Sequence, residues 1–106
     1  MKKIKLLLLE GCQRCQRLKE ELGKNYIHYE YEVCKSDTEI CDSIENLINC
    51  SNYPIVLKMI NNTFIEEIAF ITDVYEDIGK TLQINNKIRG KAFHSIDKLI
   101  EYIINN

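Results

Sequence analysis

The chain of 106 residues has a single proline, four glycines and no excess of basic residues. Its formal net charge is −2, which leaves no electrostatic footprint for a nucleic-acid backbone. No apolar stretch approaches the roughly 20 residues that a membrane-spanning helix needs. Low-complexity linkers and true repeats are absent, and the length suits one domain, 1–106, able to bury a core without staples. Cysteine is the exception, with five, but an odd number fits poorly with a fully paired secreted framework. The opening Met1-Lys2-Lys3-Ile4-Lys5-Leu6-Leu7-Leu8-Leu9 imitates a signal peptide. Its apolar run is short, follows Lys5 and ends in Glu10-Gly11-Cys12 with no small-residue cleavage site, so a buried first strand is expected. These features together suggest a reducing, cytoplasmic setting, a monomer, and no nucleic-acid or membrane partner.

What the sequence does contain is Leu6-Leu7-Leu8-Leu9-Glu10-Gly11-Cys12-Gln13-Arg14-Cys15-Gln16-Arg17-Leu18. The run over 4–9 predicts a strand covered on both faces. Leu18 and Leu22 share a face with Cys15 and predict a helix over about 13–22, with Gly23 as its stop. Cys12 then stands at a helix mouth, where unpaired N–H groups and the positive end of the helix dipole favour a thiolate. Cys12 is the candidate nucleophile and Cys15, one turn on, the resolving thiol. Arg14 and Arg17 add positive charge nearby.

Alternation over 25–33 predicts a strand, joined to the first by a right-handed crossover. Ser36 or Asp37 is expected to cap a helix carrying Ile40, Ile44, Leu47 and Ile48. The lone proline, Pro54, precedes the β-rich Ile55-Val56-Leu57-Lys58-Met59-Ile60, as suits a strand start. Beyond it, 63–71 is read as a returning strand, 73–78 as a short helix closed by Gly79, and 82–90 as a second hairpin. Ser95 is expected to cap a last helix with Ile96, Leu99, Ile100 and Ile103 on its buried face.

The strand, Gly11, the Cys12-Gln13-Arg14-Cys15 motif, the charged helix and Tyr53-Pro54 resemble a glutaredoxin of the thioredoxin superfamily. The resemblance implies a thioredoxin-like α/β fold: a central mixed four-stranded sheet, about three helices, and an insertion near 72–87 before the last helix. It implies a cis Tyr53–Pro54 bond beside the cysteine pair, a role for both residues in aligning a partner disulfide, and thiol–disulfide exchange. Glutathione is the implied reductant, a thioredoxin-reductase-type partner serving equally well, with no cofactor bound, and glutathione mixed disulfides or disulfide-containing proteins are the implied substrates. Arg17, Tyr53, Gly90 and Asp97 are the substrate-binding positions that carry over. Gln13 replaces the family's usual proline, Leu9-Glu10-Gly11 replaces its basic residue, and Gly90-Lys91-Ala92-Phe93 lacks its double glycine.

Two other readings stay open. Cys12 and Cys15 with two of Cys34, Cys41, Cys50 or His28 would supply four zinc ligands. Alternatively, the domain is a non-catalytic adaptor whose long connection before the last helix carries partner contacts. Cys41 is expected as a buried small hydrophobe, Cys34 and Cys50 as secondary redox positions, and His28 and His94 as surface residues.

Overall fold

Leu6, Leu7 and Leu8 have essentially no solvent exposure, and the strand they form lies inside a layered α/β arrangement. The computed structural model describes residues 3–105. In chain order the elements are β1 (Lys3–Leu8), α1 (Gln13–Lys24), β2 (Glu30–Val33), α2 (Glu39–Ile48), β3 (Ile55–Met59) and β4 (Ile65–Ile71). A 3₁₀ turn (Tyr75–Asp77), β5 (Thr81–Gln83), β6 (Arg89–Phe93) and α3 (Ile96–Ile104) follow.

All six strands form one mixed sheet in the order β2-β1-β3-β4-β6-β5. β1 runs parallel to β2 and antiparallel to β3, and β3 is antiparallel to β4. β4 is parallel to β6, and β5 returns antiparallel on β6, placing Thr81 opposite Lys91. The four-stranded, thioredoxin-like sheet implied by the resemblance is therefore overturned. The reason lies in β4, where Ile68, Ala69, Phe70 and Ile71 are all buried. A strand apolar on both faces is an interior strand, and β6 occupies the edge that a four-stranded sheet would leave open. The segments 63–71 and 82–90 are not rivals for one place, since both contribute strands.

Several boundaries also move. Helix α1 runs through Gly23 to Lys24, and Asn25 is its C-cap. The stop is a Schellman arrangement: Tyr26 N–H donates to the Gly23 carbonyl at 3.1 Å and Ile27 N–H to the Leu22 carbonyl at 2.9 Å. Tyr26 takes the left-handed position with φ 56°, which glycine fills more easily. This turn consumes the first half of the alternating stretch 25–33, leaving only Glu30–Val33 as strand. Thr38, not Ser36 or Asp37, is the N-cap of α2; its hydroxyl accepts from Lys35 N–H instead of capping the helix. Ser95 caps α3 as expected, accepting from Lys98 N–H at 3.3 Å.

Helices α1 and α3 pack together on one face. On that face Lys19 of α1 lies over the Tyr31 ring of β2, 4.8 Å from its centroid. Helix α2 lies on the other face, where Ile40 shares a cleft with Lys3, Lys5 and Glu30. Leu18, Leu22, Ile44, Leu99 and Ile103 are buried against the strands from the two sides. Each such side chain contributes roughly 1.5–3 kcal/mol by leaving water. No helix among the described residues is long and apolar enough to cross a membrane.

Candidate functional site

Strand β1 ends at Leu8, and Gly11 reverses the chain toward α1 with φ +75°, a left-handed conformation suited to glycine. Cys12 is the N-cap of α1, and its Sγ accepts from Cys15 N–H at 3.2 Å. A cap normally satisfies one of the free N–H groups of a first turn through oxygen; here sulfur does so. Cys12 and Cys15 are joined as a disulfide with Cα atoms 5.2 Å apart. Their surroundings differ: Cys12 is half-buried, whereas Cys15 is only 3% exposed and belongs to the core.

Cys12 opens into a groove of about 370 Å³. Leu8, Gly11, Cys15, Lys19, Tyr31 and Val33 are among its walls. The walls from β2 were not anticipated from the sequence, although the parallel neighbour of β1 was. A residue two or three places from the end of that neighbour on the α1 face must flank the cysteine turn. The groove therefore has an apolar strand side and a charged side, with Glu10 of the turn and Lys19 of α1 both present.

The other expected site residues scatter. Arg14 is exposed on the first turn of α1. Arg17 Nη2 forms an ion pair with Asp97 Oδ1 of α3, so these two positions do come together, each at the expense of the other's free charge. The Tyr53–Pro54 bond is cis. Leu7 of β1 stands opposite Ile55, so Pro54 sits at the end of the sheet from which the cysteine turn departs. Pro54 is fully buried, however, and Tyr53 is 3% exposed with its hydroxyl donating to Glu45 Oε2. Neither lines the groove. Burial first, and then the Glu45 hydrogen bond and charge, push the Tyr53 phenol above its ordinary range. Gly90 is not near the start of the last helix. It is buried in mid-β6 opposite Ile68 and Leu82, with β4 and β3 between it and β1. A Cβ there would meet Ile84 Cδ1 at 2.8 Å, so its glycine serves packing.

Cys41 is buried as expected, but its pairing was not foreseen. Cys34 and Cys41 form a second disulfide with Cα atoms 5.9 Å apart. Cys41 is therefore not a lone small hydrophobe, and Cys34 is 7% exposed. The spacing of seven gave no motif to detect. Cys50 is free and half-buried; its Sγ–H donates to the Ile71 carbonyl at 3.3 Å, which also accepts from Asn52 Nδ2 at 3.2 Å. Among the described residues no three of His, Cys, Asp and Glu gather as a metal-ligand group, and the cysteines needed for a four-ligand site are paired in two separate places. His28 is exposed, and His94 is exposed with its ring stacked on Tyr75 at 5.6 Å.

No family model, curated protein or solved structure matches the chain.

Proposed function

We propose that the chain is a thiol–disulfide oxidoreductase that reduces glutathione mixed disulfides or disulfide-bonded proteins through Cys12 and Cys15. The observation that carries this reading is the asymmetry of the pair. One cysteine is half-buried and caps a helix through its sulfur, the other is a core residue, and both border the groove. The capping N–H and the helix dipole favour negative charge on Cys12, so in the reduced protein its thiol titrates below the ordinary value of about 8.5.

The reaction follows from that arrangement. The Cys12 thiolate attacks one sulfur of the substrate disulfide. The substrate S–S bond breaks, and its electron pair leaves with the first substrate thiol, which takes a proton. Cys15, deprotonated, then attacks Cys12 Sγ. The mixed disulfide breaks, the second substrate thiol leaves, and the Cys12–Cys15 disulfide remains. Two thiols such as two glutathione molecules return two electrons and two protons and become the disulfide. The paired cysteines of this structure correspond to the oxidised half of that cycle.

The test is the rate of Cys12 alkylation by iodoacetamide in reduced protein across pH, together with a Cys15→Ser chain exposed to oxidised glutathione. The expected result is an alkylation midpoint below 8.5 and a glutathione adduct that accumulates on Cys12. An ordinary midpoint with no reduction of a model disulfide would sink the reading and leave a partner-binding module.

A further inference from the structure

We infer that Cys34 and Cys41 form a second thiol–disulfide centre whose oxidation state sets the shape of the groove at Cys12. The two pairs have a common layout. Cys15 is the third residue of α1, which follows β1, and Cys41 is the third residue of α2, which follows β2. β1 and β2 are parallel neighbours, so both pairs lie at the same end of the sheet. They are on opposite faces. Tyr31 and Val33 face the groove on the α1 side, and strand alternation turns Cys34 toward α2, where Cys41 meets it.

The second pair connects to the groove at the end of β1. Cys34 N–H donates to the Leu8 carbonyl at 2.7 Å, extending the ladder to the end of β1. Leu8 and Val33, the residues at that junction, both line the groove that exposes Cys12. Cys41 lies in the first turn of α2, so the disulfide ties that helix to the junction across the short turn of Lys35 to Thr38. While the bond is intact, the groove wall at Val33 is anchored from behind by α2. When it opens, the anchor is reduced to backbone hydrogen bonds.

The chemistry balances with an external dithiol. Its thiolate attacks Sγ of Cys34, the less deeply buried residue of the pair. The Cys34–Cys41 bond breaks, and its electron pair leaves on Cys41 Sγ, which takes a proton. The second thiol of the reductant then resolves the mixed disulfide, releasing Cys34 as a thiol and the reductant as a cyclic disulfide. The first turn of α2 favours the leaving thiolate through its N–H groups, while Glu39 and Asp42 beside it oppose that charge.

The coupling rests on Cys12 as the reactive thiol; the redox activity of the second pair does not, and two experiments separate them. In a Cys12→Ser/Cys15→Ser chain, dithiothreitol buffers of graded ratio are followed by iodoacetamide and peptide mass spectrometry. Cys34 and Cys41 are expected to gain label together in one reversible two-electron transition, with Cys50 labelled throughout. Label absent from the pair in fully reducing buffer, or present in every buffer, overturns the second centre without touching Cys12. In a Cys15→Ser chain, the alkylation rate of Cys12 is then read with Cys34–Cys41 oxidised and with it reduced. At least a threefold change at Cys12, with Cys50 changing less and the far-UV spectrum retained, is expected. Equal rates overturn the coupling, and a parallel rise at Cys12 and Cys50 with loss of the far-UV signal marks unfolding and overturns it too.

Discussion

Opening the Cys34–Cys41 bond should cost the fold a predictable amount. The two cysteines are seven positions apart, so the bond closes a loop of about eight residues. Loop-closure entropy for that length is about 8 cal/mol/K, or about 2.5 kcal/mol at 25 °C, taken from the unfolded ensemble. The turn hydrogen bonds inside the loop, Lys35 N–H to Thr38 Oγ1 at 2.9 Å and Thr38 N–H to the Lys35 carbonyl at 3.1 Å, belong to the folded state and do not restrain the unfolded one. Neither cysteine leaves a cavity on reduction, because both side chains stay in place at 7% and 1% exposure. For a chain of this size, 2.5 kcal/mol lowers the melting temperature by about 10 °C. The measurement is thermal and urea unfolding of one Cys12→Ser/Cys15→Ser sample, oxidised and then reduced, so that no substitution separates the two states. A shift smaller than about 3 °C would refute the reasoning, showing that the cross-link does not constrain the unfolded chain.

Other expectations concern single residues. Tyr26→Gly should raise stability by about 0.5–1 kcal/mol in urea unfolding, because the left-handed position is relieved and a side chain 92% exposed gives up little packing. Gly90→Ala should lower the melting temperature, at a cost of about 1–3 kcal/mol, as the new Cβ displaces Ile84. A double-mutant cycle on Arg17 and Asp97 should give a coupling under about 1 kcal/mol that falls with added salt, since the side chains are 53% and 62% exposed. The phenols of Tyr53 and Tyr102 are both raised above the ordinary value of about 10, by burial and then by Glu45 and Glu67 respectively. A raised folded-state value gives stability that is whole below 10 and lost as pH climbs beyond it. Unfolding followed from pH 8 to 12 should therefore show an alkaline decline that Tyr53→Phe and Tyr102→Phe each lessen. An unchanged decline in both variants would contradict that assignment.

Local chemistry made some of this architecture readable from the residues. Leu18 and Leu22 repeat with Cys15 at helical spacing, and all three are buried; Ser95 announces α3 because a hydroxyl before an apolar stripe has an N–H to accept. Glycine misled at position 23, because a Schellman stop depends on which residue can take the left-handed place, and here packing of Ile27 behind it holds Tyr26 there. The alternation over 25–33 misled for the same reason, since a turn and its exit can borrow a strand's pattern for five residues. The sixfold sheet was hidden because adjacency of β4 and β6 is a long-range pairing across a connection, and no short window records which edge a strand seeks. At the site, the cysteine turn was legible because its chemistry is contiguous in sequence. Its β2 wall and the Cys34–Cys41 partnership were not, being made by neighbours in space.

The place where β5 and β6 join the sheet has its own consequence. They extend it beyond β4, the margin farthest from β2, so the molecule widens away from the corner that holds the cysteine turn. At that corner, among the described residues, the outer backbone of Glu30–Val33 has no strand beside it. On the proposed reading, an extended polypeptide substrate of Cys12 would come alongside that edge, and the strands added on the far side would leave its approach uncrowded.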